Sequence, residues 1–176
     1  MNLFEKTAQK YPKIVEKMCL AAILAGTKIM VVYSEEDFGV ELKSDDSPIT
    51  RADRLADKVI GKILKQNFPD IRIVSEESNC DLTAAMGDIY FLVDPLDGTK
   101  EFIKKTGEFT VNIAVILNGK SELGVVYVPV TKELYYRDLD GLSYLERDVN
   151  DFEVRGERNQ IFCRTADMDN LSVVRS

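Results

Sequence analysis

Histidine and tryptophan are absent from these 176 residues, and cysteine occurs only three times. Without histidine there is no Ser-His-Asp or Cys-His catalysis and no histidine-ligated zinc. Acid–base work therefore falls to carboxylates, hydroxyls, lysines or metal-held water. Cys19, Cys80 and Cys163 are odd in number, far apart and outside any C-x-x-C spacing. That pattern argues against a disulfide framework or a zinc site and reads as reduced thiols in a cytoplasmic protein. A basic face is missing too: the net charge is −7 and the pI near 4.8, which excludes a nucleic acid polymer as the main partner. A small phosphorylated substrate stays compatible, because a bound divalent cation inverts the local field. No run reaches the ~20 apolar residues of a membrane span. The apolar stretch Met18–Ala25 continues through Ile29 and Val32 at helical spacing, so it reads as a core helix rather than an export signal.

What is present is one good core and a change of period along the chain. The 45% hydrophobic content sustains a single core and the start of a second. Pro12 suits a first helical turn, and Ile14, Met18, Ala21, Ala22, Ala25, Ile29 and Val32 predict an amphipathic helix to about Tyr33. Residues 34–49 are acidic and read as an exposed loop. A second helix is expected from Thr50, burying Leu55, Ala56, Val59, Ile60, Ile63 and Leu64 and stopped by Asn67-Phe68-Pro69-Asp70. Strands follow: Ile71–Ser75, then Ile89–Val93 as a buried run stopping at Pro95, then Thr110–Leu117 and Leu123–Val128 around Asn118-Gly119-Lys120. Glu133–Arg137 and Leu142–Leu145 flank Asp140-Gly141 as a further pair. The expectation is an α+β layered fold, with two helices on one face of a mostly antiparallel sheet.

Residues 146–159 read as a charged linker, Gln160–Cys163 as another strand, and Asp167-Met168-Asp169 as a helix entry. A strand and half a helix cannot form a core, which sets the expected division: a domain over 1–155, and the start of an incomplete second domain over 156–176.

The acidic residues carry the chemistry. Asp94 follows five apolar residues of a central strand, where a bare carboxylate is costly unless paired, hydrogen-bonded or metal-bound. Asp97 lies three residues on, across a turn that Gly98 allows to bend sharply. Glu76, at the end of another strand, adds a third oxygen ligand, and an all-oxygen cluster favours magnesium or manganese. The N–H groups of Gly98 and Thr99, opening a short helix, suit a phosphate oxygen. Taken singly these residues have plainer readings. Asp94 and Asp97 could simply build a turn, Asp53 could simply cap the helix begun at Thr50, and Glu76-Glu77 could be a solvated pair. Tyr135 and Tyr136 read as sheet residues, Phe102 and Phe109 as core.

Taken together, the residues match a family. Leu92-Val93-Asp94-Pro95-Leu96-Asp97-Gly98-Thr99-Lys100-Glu101-Phe102 resembles the signature of the lithium-sensitive, magnesium-dependent phosphatase superfamily, which includes inositol monophosphatase, fructose-1,6-bisphosphatase and 3'(2'),5'-bisphosphate nucleotidase. Ser47-Pro48-Ile49-Thr50-Arg51-Ala52-Asp53 resembles its S-P-V-T-x-A-D element, and Ser75-Glu76-Glu77-Ser78 its acidic strand end. Lys100-Glu101-Phe102 and the run Gly107–Ala114 are similar to the bacterial bisphosphate nucleotidases. The resemblance implies hydrolysis of adenosine 3',5'-bisphosphate, a by-product of sulfate assimilation, to AMP and phosphate by attack of metal-activated water. An inositol-1-phosphatase-like enzyme and a truncated remnant that only binds metal and phosphate are the alternatives.

The resemblance also implies roles. Glu76, Asp94, Asp97 and the Leu96 carbonyl would ligate two or more Mg2+ ions, with Mn2+ as a substitute. Asp53, Glu76 and Thr99 would act catalytically, Asp53 holding the Thr99 hydroxyl, while Glu76, Leu96, Asp97, Gly98 and Thr99 would bind substrate. A cytoplasmic site of action, with peripheral attachment at the inner membrane, is implied as well. A further domain, bearing a W-D-x-A-A element with another metal ligand and much of the nucleoside pocket, would follow Ile161–Thr165 in a full-length member.

Overall fold

The computed structural model describes residues 2–77, 88–149 and 157–162. Helix α1 (Leu3–Lys10) opens with a capping box between Asn2 and Glu5. Helix α2 (Ile14–Tyr33) follows, with Pro12 just outside it and Lys13 at its N-cap. The stretch 34–49, expected to be a loop, contains a small hairpin of β1 (Glu41–Leu42) and β2 (Pro48–Ile49). Helix α3 (Arg51–Asn67) starts at the Thr50 cap. Its buried stripe is Ala52, Asp53, Ala56, Ile60 and Leu64. Leu55, expected inside, is 37% exposed, because α3 packs with α2 and the sheet along a narrower stripe than the apolar count suggests.

The sheet comprises β3 (Arg72–Ser75), β4 (Ile89–Asp97), β5 (Thr110–Leu117), β6 (Lys120–Val128), β7 (Glu133–Arg137), β8 (Ser143–Glu146) and β9 (Arg158–Ile161), in that spatial order. The pair β3–β4 is parallel, and every later pair is antiparallel. The β5–β6 turn has positive φ at both Asn118 and Gly119, the conformation that matches the twist of a two-residue hairpin. Strand β9 extends this same sheet beside β8. Of the expected start of a second domain over 156–176, the described residues 157–162 include β9 of this sheet. The rest, including Cys163 and the helix entry near Asp167, lies outside the described residues, as do Cys80 and Ser78.

Helix α2 lies over β5, β6 and β7, and α3 over β3 and β4. The core is therefore one layer, lined by Ile14, Met18, Ile23 and Ile29 from α2 and by Phe91, Ile113, Leu123 and Leu134 from the sheet. Cys19 is buried in it. Helix and sheet approach closely at Gly26: a Cβ there would stand 2.4 Å from the Tyr127 ring. The other sheet face is not covered by helix among the described residues. Leu92, expected to be buried, is 44% exposed there, and Val126 39%.

Candidate metal and phosphate site

Strand β4 carries the site, and it does not stop at Pro95 as the sequence suggests. Pairing with β5 runs from Ile89↔Leu117 to Asp94↔Asn112, resumes at Asp97↔Thr110, and shifts register in between. Pro95 and Leu96 therefore stand opposite Val111 alone, a bulge that accommodates a proline lacking its N–H. The bulge re-aims the strand end just where the carboxylates lie. Gly98 follows with φ 91° and ψ 38°. A Cβ there would meet the Glu108 carbonyl oxygen at 2.7 Å, so the turn needs glycine both for its conformation and for space.

Helix α4 (Thr99–Ile103) is a single turn. Phe102, fully buried, pins it to an aromatic cluster, with ring centroids 5.2 Å from Tyr33, 5.1 Å from Phe38 and 5.2 Å from Phe109. The apolar residues after the acidic turn thus fix the turn to the core.

Behind it sits Asp53, which is 1% exposed. Its Oδ2 accepts from the Thr50 N–H at 2.8 Å and the Thr50 hydroxyl at 2.5 Å. Its Oδ1 accepts from the Thr99 hydroxyl at 3.1 Å. Thr50 in turn accepts from the Ala52 N–H at 3.1 Å, so Asp53 is hydrogen-bonded both within the α3 cap and to Thr99. Burial raises the Asp53 pKa above its ordinary value, against the opposing pull of these bonds from Thr50 and Thr99. The Thr99 hydroxyl also lies 3.2 Å from the Leu96 carbonyl oxygen. Both neighbours are acceptors, so the one Thr99 proton is committed to them. Towards a further molecule the Thr99 oxygen acts as an acceptor.

Asp94 is the electrostatic centre. Burial, then the charges of Glu76 and Asp97 and a hydrogen bond with Glu76, push its pKa up to about 7. Its Oδ1 is buried and has no hydrogen-bond partner among the described residues. A buried orphan carboxylate oxygen is costly unless a cation or donor meets it. Asp97 is exposed and accepts from the Asn112 amide at 3.2 Å. Glu76 is held at its backbone by an N–H bond to the Val93 carbonyl at 3.0 Å.

Sequence reasoning missed Lys43, whose ammonium stands 3.0 Å from Glu76 Oε1 and 2.8 Å from Glu77 Oε1. It also gave Asn112 no role. Neither had a local signal, since both reach the site through pairing of distant segments. Among the described residues no three acidic or thiol side chains already stand in a metal-holding group. Glu76 leans on Lys43 while it meets Asp94. The donor set nonetheless fits a hard cation: all ligands would be oxygen, one is a buried orphan, and the carboxylates repel one another. On the open sheet face beside this cluster is a hollow of about 630 Å³, walled by Val74, Leu92, Ala114 and Val126 with Glu76 and Asp94 at its rim.

Residues 12–167 match the inositol monophosphatase family, and the chain belongs to that family. Among its relatives is the 3'(2'),5'-bisphosphate nucleotidase CysQ of Salmonella typhimurium, 50% identical over 125 residues, which cover 70% of this chain and 51% of the relative. The Nus factor SuhB of Pasteurella multocida is 37% identical over 116 residues, 65% of this chain and 43% of that protein. The crystal structure of CysQ from Bacteroides thetaiotaomicron superposes with a TM-score of 0.71 at 37% identity, over 86% of this chain and 58% of that one. The chain thus spans about half the length of the curated relatives it matches. The family and its α+β fold stand as the sequence resemblance implied. No helix among the described residues is long and apolar enough to cross a membrane.

Proposed function

We propose that this chain carries the phosphatase site of a magnesium-dependent 3'(2'),5'-bisphosphate nucleotidase, acting on adenosine 3',5'-bisphosphate. The observation that carries the reading is Asp94: a half-buried carboxylate with one buried, orphan oxygen, at a strand bulge, between Glu76 and Asp97. Glu76, Asp94, Asp97 and the Leu96 carbonyl would hold Mg2+, or Mn2+ in its place. When bound, the metal would neutralise the phosphoryl group and acidify a water.

The protein's own residues supply orientation. Thr99, its proton committed to Asp53 and Leu96, accepts a hydrogen bond from the attacking water and so aims a lone pair at phosphorus. Asp53 holds Thr99 in that role and is itself held by Thr50. The turn Asp97-Gly98-Thr99 lies against the same oxygen cluster and would receive the phosphate. A new P–O bond forms from water as the ester P–O bond breaks. The electron pair leaves on the 3'-oxygen, which takes up a proton from solvent, while the attacking water gives up a proton to solvent. Similarity to the CysQ relatives at 43–50% identity favours the nucleotidase branch over inositol phosphates. By its resemblance to the phosphatase superfamily the protein would act in the cytoplasm, in sulfur metabolism and with lithium sensitivity, and the second domain expected over 156–176 would continue from β9.

The test is phosphate release with Mg2+ from adenosine 3',5'-bisphosphate and from inositol 1-phosphate, for this chain and for Asp94→Asn. The expected result is faster release from the nucleotide, abolished in Asp94→Asn and inhibited by Li+. Faster release from inositol 1-phosphate would move the protein to the other branch. Metal binding without any release would leave only the metal- and phosphate-binding remnant.

A further inference from the structure

We propose that Lys43 is a built-in competitor for the cation at Glu76, setting the divalent-cation concentration at which the site fills; this rests on the metal-binding reading of Glu76. The backbone of Lys43 is fixed just past β1: its N–H donates to the Ser47 carbonyl at 2.8 Å and its own carbonyl accepts from the Asp46 N–H at 3.1 Å. The small hairpin is tied to α3 by the ion pair of Glu41 with Arg54, whose Nη1 lies 2.9 Å from Glu41 Oε1. From this anchor the ammonium is shared between Glu76 Oε1 and Glu77 Oε1. The Lys43 side chain is 21% exposed, that of Glu77 6% and that of Glu76 53%, so the Glu77 contact is largely withdrawn from water while the Glu76 contact stays open to it.

A cation on the Glu76 carboxylate would meet this positive charge. Ligand distances of about 2 Å place a magnesium ion on the order of 5 Å from an ammonium bonded to the same group. A double charge and a single charge at that separation repel enough, even in water, to change affinity roughly tenfold. The alternative role for Lys43 is to place Glu76 for the metal, and removal would then weaken binding. The backbone bond from Glu76 N–H to the Val93 carbonyl opposes that alternative, since the strand end is positioned without Lys43. Lys43 also tethers the β1–β2 hairpin to the end of β3, so filling of the site would release that tether.

The experiment is a Mn2+ titration of the 176-residue protein, by calorimetry and by the paramagnetic resonance of free Mn2+, for the parent chain, Lys43→Met and Lys43→Arg. Lys43→Gln replaces Lys43→Met if the latter does not fold. The expected result is a Kd roughly tenfold lower in Lys43→Met and within about threefold of the parent in Lys43→Arg, which keeps the charge. Binding by the parent with an equal or weaker Kd in Lys43→Met overturns the inference and leaves the metal reading standing. Equal tightening in Lys43→Arg also overturns it, because charge would not be the cause. No binding by the parent or by any variant removes both readings together.

Discussion

Replacing Asp94 with asparagine isolates the electrostatic cost of the site. A carboxyl raised from its ordinary 3.8 to about 7 is disfavoured in its charged form by about 4 kcal/mol. Asp94 is only half-buried, and water on its open side reduces this to about 2 kcal/mol. The sign follows from proton uptake. Between pH 4 and 7 the folded chain holds a proton on Asp94 that the unfolded chain releases. Stability is therefore full below pH 4 and falls as pH rises through 7. Asparagine does not titrate, keeps the shape, and meets Glu76 with an amide donor. In urea unfolding with EDTA, Asp94→Asn should match the parent near pH 4. At pH 8 it should exceed the parent by about 2 kcal/mol. Saturating Mn2+ should reverse the order, since only the parent gains binding free energy. A variant less stable than the parent at pH 8, or a gap that does not change with pH, would refute the argument.

Three further substitutions test the frame around the site. Gly98→Ala should cost about 3 kcal/mol in urea unfolding, from the left-handed backbone and the contact with the Glu108 carbonyl; a loss below about 1 kcal/mol would mean the turn relaxes. Thr50→Ala removes the α3 cap and the 2.5 Å bond to buried Asp53 and should cost about 2 kcal/mol, while Thr50→Ser stays within about 0.5 kcal/mol, both measured by thermal unfolding. Gly26→Ala drives a methyl into the Tyr127 ring, which cannot swing freely because its hydroxyl donates to the Val149 carbonyl at 3.0 Å. A loss of about 2 kcal/mol is expected, and Tyr127→Leu in the same chain should recover most of it.

The fold was legible where periodicity and turn chemistry agree. The three-and-four spacing in α2 and α3 and the Asn118-Gly119 hairpin identified the helix pair and the meander. What escaped had weak or misleading local signals. Helix α1 is eight residues long, and its only marker is the Asn2-to-Glu5 capping box. The β1–β2 hairpin has two residues per strand, too few for alternation to show. Leu92 looked buried because its run is apolar throughout, yet a run with period two also fits a strand whose second face is open, and that is where Leu92 and Val126 lie. Pro95 looked like a strand end because a proline cannot join a regular ladder. A bulge removes that conflict and lets pairing resume at Asp97.

The candidate site divides along the same line. Asp94, Leu96, Asp97, Gly98 and Thr99 fall within six residues, so one bulge and one glycine turn suffice to gather them, and short-range sequence shows such a group. The Asp53–Thr99 bond spans 46 residues, but it follows from the Thr50 cap, because a carboxylate fixed at the start of α3 must find donors where that helix end meets α4. Lys43 has no such lever. Its contact with Glu76 across 33 residues depends on where a minimal hairpin settles against the end of β3. The carboxylates were visible as a demand for positive charge, since three acidic groups near a strand end cannot stay unbalanced. Which positive charge answers that demand is decided by tertiary packing, and in this structure part of the answer is a lysine.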